Sequence, residues 1–499
     1  MSATKESHYQ AQTTTTNMPN EVDYALPSDP DAFDVLPPPP PPKNKWDKIH
    51  RSSFFQICVV SALAFCGPAM ADAISGLGGG GQATPYTVSA AQAASYSATA
   101  IISLFGGPLA SRMGIRVMLI VGASTFAING SAYYVNSRYG IQWYLIFGRF
   151  LYGLGFGFWY VAEAAIILSY PEEGRRGHYL AIWVAARNLG QLVGGSIALA
   201  RNARNAAAGA IATSTYLIFV GIEAVGFPVS FLITSPEKVR RADGVPIIMP
   251  AKKPIKQEMI LLWKAIIHPR MLLFAPIAFY SYFLGGVMST YLANYFTVRA
   301  RALSSFVVPA SIVMFTGLYG RFVLDNKRLN QRARAHLGFW VFMIPSLATF
   351  AWICANQAKF YAMEKAPKYD WSASYWAVAY LPLLIQQICA YLCQSYIYWL
   401  ISCFVVDVQG NARNGGIFRC VEAVGQAVSY GINSNVKAKW VPLGLNFALC
   451  VACILPTLLI VRQVPEYRQD AKNKPSEITY DGKNDEENVT AMDDISKKI

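Results

Sequence analysis

Twelve runs of apolar residues, each long enough to cross a bilayer, constrain this chain more than any other feature. They fall near 54–74, 88–110, 116–135, 142–170, 178–199 and 215–234, and again near 271–293, 304–325, 336–355, 374–402, 416–434 and 440–462. About 20 apolar residues in a helix match a hydrocarbon core roughly 30 Å thick. A segment inside lipid must satisfy its own backbone N–H and C=O groups, so each run is expected to be a helix. By length alone, 499 residues would suit two or three soluble domains, but 54% are apolar and only 14% charged. The charges also sit in short clusters between the runs, the pattern of a polytopic membrane protein. The expected class is an all-α integral membrane protein with twelve transmembrane helices in two six-helix bundles.

A net charge of +14 would ordinarily raise nucleic acid as a partner. Here the basic residues alternate between loops instead. One side receives Lys43 to Arg51, Arg112 and Arg116, Arg175 and Arg176, Lys238 to Lys264, Lys327 to Arg334, and Arg462 with Arg468. By the positive-inside rule this is the cytoplasmic side, and both termini lie there. The expected partner is therefore the lipid bilayer, with no nucleic acid; a plasma membrane or an internal one fits equally.

The domain reading follows the runs. Residues 1–53 form a disordered cytoplasmic tail, 54–234 an N-terminal six-helix bundle, and 235–270 a basic cytoplasmic linker. The linker carries an amphipathic stretch, Glu258 to His268, expected on the inner membrane face. Residues 271–462 form a C-terminal six-helix bundle and 463–499 a second disordered tail. The tail's proline run, Pro37 to Pro42, adopts polyproline II, as a stiff spacer or as a ligand for a partner's aromatic groove.

No nucleophile–base set, metal cluster or phosphate loop stands out, so no enzyme, cofactor or metal site is expected. Cys450-x-x-Cys453 has redox or zinc spacing. Inside an apolar helix it reads as a pair of small lipid-facing hydrophobes. The acceptor triplet at Asn488 falls on the inner side and is expected to be silent.

Two internal features support a paired architecture. The fifth run reads RNLGQLVG from Arg187 to Gly194 and the eleventh EAVGQAVS from Glu422 to Ser429, at equivalent places in the two halves, as parallel repeats require. Small residues crowd other runs, as in Gly153-Leu-Gly155-Phe-Gly157, and allow helices to approach closely in lipid. Between the second and third runs lies GPLASRMGIR, Gly107 to Arg116, a basic turn between two spans. It resembles the G-x-L-A-D-R-x-G-R-K loop of the major facilitator superfamily at Gly107, Leu109, Ala110, Arg112, Gly114 and Arg116, and departs from it at Ser111.

Longer stretches resemble the fungal uncoordinated-93-like branch of that superfamily. They are FCGPAMADAISGLGGGGQ (Phe65 to Gln82), SYPEEGRRGHYLAIW (Ser169 to Trp183), SPEKVRRADG (Ser235 to Gly244) and VRARALSSF (Val298 to Phe306). The resemblance implies a facilitator-type fold. It leaves two functions open: a carrier moving a small solute by alternating access, coupled to protons or another cation, and a non-transporting relative that regulates a channel or escorts a membrane partner.

The same fold implies that the first, fourth, seventh and tenth helices line a central cavity. On the fourth, Arg149, Tyr152, Phe156, Trp159 and Glu163 share one helical face; on the tenth, Gln387, Tyr391, Gln394 and Tyr398 do. The seventh offers Tyr280, Tyr291 and Asn294, and the first ends with Asp72. Arg149 and Glu163 are about 21 Å apart along a helix and cannot pair. Each ionisable group at mid-helix costs about 2.5–3.5 kcal/mol. Asp72, Arg149, Glu163, Gln387, Tyr391, Gln394 and Tyr398 are therefore the candidates for solute binding or ion coupling. The alternatives are snorkelling for Arg149 and Glu163, helix capping for Asp72, and interhelical hydrogen bonding for the tenth-helix stripe. Glu422 has a ready partner in Arg419, three residues before it; Glu223 has none nearby. Pro68 and Gly76 to Gly81 suggest a bend followed by a mobile outer cap or a loose connection.

Overall fold

In the computed structural model, residues 33–35, 41–171, 176–241, 248–250, 254–324, 326, 328–403 and 408–464 are described. Pro37 to Pro40, most of both tails and Asn488 lie outside them, as do the side chains of Gly107 and Ser111.

A short helix, α1 (Lys45–His50), precedes the first pass. The first six passes are α2 (Ser53–Cys66) with α3 (Pro68–Gly76), α4 (Tyr86–Leu104) with α5 (Gly106–Met113), α6 (Ile115–Ser124) with α7 (Phe126–Tyr139), α8 (Gln142–Ser169), α9 (Arg176–Asn202) and α10 (Thr213–Ser230). After the linker helix α11 (Ile255–Ile267) come α12 (Pro269–Tyr280) with α13 (Leu284–Tyr295), α14 (Val298–Tyr319), α15 (Gln331–Tyr361), α16 (Trp376–Ser402), α17 (Val408–Asn433) and α18 (Val441–Ala452) with α19 (Ile454–Val461). Outside the membrane helices, two three-residue strands, β1 (Phe33–Val35) and β2 (Ile248–Pro250), pair antiparallel and tie the N-terminal tail to the linker.

Among the described residues, nine passes are long and apolar enough to cross a membrane. The other three are α4–α5, α9 and α17, and their place in the fold explains their polarity. α4 packs between α8 and α17, while α9 packs against α2, α3 and α14. These helices occupy the seam between the halves, and a helix that faces protein need not be apolar all round. α17 begins at Val408, about two turns before the start near 416 expected from hydropathy, because its polar first turns read as loop. Outward-facing apolar side chains such as Phe147, Val225, Met314, Ile344 and Leu455 form the surface presented to lipid.

The breaks within passes have local causes. Pro68 lacks an N–H and its ring crowds the preceding turn, so the first pass bends at Gly67–Pro68. A Cβ on Gly67 would lie 2.3 Å from the Phe126 ring. Beyond Gly76 the chain is neither a mobile cap nor loosely draped. Gly78, Gly79, Gly80 and Gly81 all have positive φ, and Gly79 to Gly81 are buried. Only glycine adopts such a run without strain.

The Gly107 to Arg116 segment is mostly helix rather than turn. α5 runs to Met113, and the reversal is confined to Gly114 at φ +76°, with Arg112 and Arg116 exposed on either side. The small residues act as expected. A Cβ on Gly153 would meet the Ser95 carbonyl at 2.1 Å, and one on Gly155 the Thr125 hydroxyl at 2.1 Å, so α8 presses on the backbone of α4 at one glycine and on a threonine side chain at the other. Cys450 and Cys453 are unpaired thiols, but both are fully buried in the core of the second half rather than facing lipid.

Candidate functional site at the seam between the halves

The paired sequence RNLGQ/EAVGQ is also a paired contact. A Cβ on Gly190 of α9 would strike the first pass at Ala69, and one on Gly425 of α17 would strike the seventh at the Phe279 carbonyl. Each glycine lets its helix press against the cavity-lining helix of its own half. Three residues earlier in each repeat stands an ionisable side chain, Arg187 in α9 and Glu422 in α17.

Arg187 Nη2 donates to Asp72 Oδ2 at 3.2 Å, and Gln191 Nε2 donates to the same oxygen at 2.6 Å. Asp72 lies within α3, facing α9, so it is an ion-pair partner and not a helix cap. In the other half Arg419 Nη1 donates to Glu422 Oε1 at 2.8 Å, as the three-residue spacing implied. Gln394 Nε2 donates to Glu422 Oε2 at 3.3 Å, and Gln394 Oε1 accepts from the Tyr282 hydroxyl at 3.2 Å. Tyr391 packs edge-on to Tyr282 at 5.4 Å. The Arg419 guanidinium lies over the rings of Tyr398, at 5.3 Å, and of Tyr160 on α8, at 4.9 Å. Arg419 thus reaches across the seam to α8 of the first half.

These groups sit among helices yet meet solvent: the side chain of Asp72 is 33% exposed and those of Arg187 and Arg419 are each 21% exposed. The end opposite the basic loops is closed above them. Arg301 of α14 donates to the carbonyls of Leu77, Gly78, Gln82 and Gly209 at 2.6–3.1 Å. The Gly79 N–H donates to Ser289 Oγ at 2.9 Å, and Val298 and Arg299 donate backbone N–H groups to the Ala207 and Asn205 carbonyls, each at 3.0 Å. The VRARALSSF and SGLGGGGQ stretches therefore interlock.

The fourth-helix stripe divides. Glu163 Oε1 accepts from Trp183 Nε1 at 2.7 Å and is nearly buried. Trp159 is fully buried against Phe126. Arg149 does not snorkel. It is 3% exposed, donates to Asn129 Oδ1 and Gln92 Oε1, and lies 4.7 Å from the Tyr152 ring centroid. Asn129 Nδ2 in turn donates to Glu223 Oε1 at 2.7 Å, and the Gly130 N–H to Glu223 Oε2 at 2.8 Å. One asparagine bridges a buried cation and a buried acid on three different helices, the partner that sequence could not supply for Glu223.

On the tenth helix, Tyr391, Gln394 and Tyr398 join the seam cluster, whereas Gln387 is half-buried and makes no hydrogen bond to it among the described residues. Of the seventh-helix candidates, Tyr291 and Asn294 line a separate small pocket with Gln357 and Asn433, and Tyr280 turns towards Cys450. Sequence reasoning missed Tyr160, Arg187, Gln191 and Tyr282 as site residues. The i, i+4 spacing of Arg187 and Gln191 on a polar seam helix was the signal that could have found the first pair.

The family model described as Major Facilitator Superfamily matches residues 52–430. The Notoamide biosynthesis cluster protein O' of Aspergillus versicolor is 34% identical over 416 residues, covering 83% of this chain and 90% of that protein. The UNC93-like protein 1 of Arabidopsis thaliana is 28% identical over 443 residues, covering 86% and 94%. Among solved structures, the POT family transporter PepTSo aligns with a TM-score of 0.61 at 12% identity over 83% of this chain and 99% of that one. A D-xylose-proton symporter aligns at 0.54 and 15% identity over 83% and 98%. These two likenesses are of fold. With three-quarters of its length under the family model and UNC93-like relatives aligned across most of it, the chain is a multi-pass membrane protein of the major facilitator superfamily, in its UNC93-like branch.

Proposed function

We propose that this protein carries a small organic solute across a membrane by alternating access, with both termini cytoplasmic. The observation that carries this reading is the charged, tyrosine-lined cluster at the seam. It is built from both halves, is reachable by solvent, and is closed at the end opposite the basic loops by Arg301 and the glycine turn. Asp72, Tyr391, Gln394 and Tyr398 then belong to the solute site. A relative named for a biosynthesis cluster supports an organic cargo over an inorganic ion. Arg112 and Arg116, exposed beside Gly114, are placed to steady one end state through the α5–α6 reversal.

Glu163 is the proposed coupling group. It is buried with an indole N–H for a partner and, among the described residues, forms no ion pair, so a proton can balance its charge at different stages of the cycle. Solute-induced thermal stabilisation of the purified protein, over sugars, amino acids, organic acids and metal ions at two pH values, tests the reading. Stabilisation by one class, lost in Tyr391→Ala, is the expected result; silence throughout, with a co-purifying membrane protein, would contradict it. Glu163→Gln is expected to flatten the pH dependence of uptake, and an unchanged profile would reject the coupling role.

One sequence observation favours a second reading. Ser111 stands where the superfamily loop has Asp, which suits a relative that regulates a channel or escorts a partner instead of cycling.

A further inference from the structure

The balance of donors and acceptors at the seam is unequal, and the inequality names a substrate class. A guanidinium carries five N–H donors. Among the described residues, Arg187 gives one hydrogen bond, to Asp72, and Arg419 gives one, to Glu422. The acids are better served: Asp72 accepts from Arg187 and Gln191, and Glu422 accepts from Arg419, Gln394 and Gln426. The capacity left over is therefore cationic donors, on two side chains of opposite halves that are both reached by solvent, with Arg419 lying over the Tyr160 ring of the first half. The surrounding walls are phenol rings, Tyr160, Tyr391 and Tyr398.

We propose that the site takes an organic anion, a small carboxylate with a planar apolar body. The carboxylate is bonded by Arg187 from one half and Arg419 from the other, and the body lies against the tyrosines. This rests on the carrier reading and deepens it. An anion held by guanidiniums from opposite halves is attracted to both, so binding itself draws the halves together. Bidentate bonding of a carboxylate is the geometry that arginine supplies and lysine does not.

Three isosteric probes of different charge separate the possibilities: phenylacetate, phenylacetamide and phenethylamine. Binding to the full-length protein in detergent is followed by calorimetry, and counterflow is measured in proteoliposomes. Phenylacetate is expected to bind at least tenfold tighter than the amide or the amine. Arg419→Lys, which keeps a charge beside Glu422, is expected to weaken it at least tenfold while leaving the unliganded melting temperature near wild type; Arg419→Gln is expected to weaken it as much and also to melt lower, because it strands Glu422. Equal or tighter binding of the amine or the amide, or no binding of phenylacetate, overturns the anion assignment. Arg419 variants that melt like wild type and still bind phenylacetate normally also overturn it. Tight, Arg419-dependent binding without counterflow upholds the anion site and instead removes the carrier reading.

Discussion

Arg149 illustrates what a single side chain does when lipid leaves it no water. Its charge is spread over two amide oxygens and two tyrosine rings, and Asn129 relays it to Glu223. Removing one member of a buried ionic set strands the other, at about 3–5 kcal/mol. Arg149→Met is therefore expected to lower the melting temperature sharply. Adding Glu223→Gln should restore much of the loss, because the Asn129 amide can then turn to pair with the new one. A single variant that melts like wild type would contradict this account.

Outside the membrane, Arg299 and Thr297 hold the Asp370 carboxyl well below the usual carboxylate range, as do the Ser372 hydroxyl and N–H. A depressed folded-state value stabilises above the unfolded value, and the effect fades as pH falls through it. Asp370→Asn is thus expected to cost about 1–2 kcal/mol at neutral pH. The gap from wild type should shrink as pH drops below about 4; a gap constant with pH would contradict the assignment. At this scale sequence gave uneven guidance. Helical spacing put Tyr391, Gln394 and Tyr398 on one face, and all three lie at the seam cluster. It mistook Trp159 for a cavity residue and passed over Tyr160, because one position along a helix turns a side chain by about 100°.

The order of the apolar runs and the bend at Pro68 were legible, since length and hydropathy are what lipid reads, and nine passes among the described residues meet that standard. The start of α17 and the helical nature of α5 were not, because polar seam helices and basic loops share a composition. Least legible was the glycine turn. Its four positive φ values serve a contact made more than 200 residues away, in which Arg301 fills a cradle of backbone carbonyls. If Arg301 holds the closure at the end opposite the basic loops, Arg301→Gln is expected to loosen it. In a background free of native cysteines, Ser305→Cys is buried beside Gly76 and Gly195. Its labelling by a membrane-impermeant maleimide from the outer face should rise several-fold when Arg301→Gln is added. Labelling that stays equally slow in both would show that Arg301 does not hold the gate.

For the whole molecule, the proposed cycle rocks the two halves about the charged seam. The repeat made the pairing of halves readable from sequence, through Gly190 and Gly425. The state of the gates was not readable, because it depends on backbone contacts such as Val298 to Ala207. Electron–electron distance measurements between spin labels test the claim most directly. One pair at Arg204 and Lys365 reports the closed end, and another at Arg116 and Arg328 the end with the basic loops, in protein reconstituted at pH 5 and pH 8 with and without phenylacetate. Two populations should appear at each end and shift in opposite senses, one pair lengthening as the other shortens. A single unchanged distance at both ends under every condition would contradict alternating access and leave a rigid membrane protein that works through a partner.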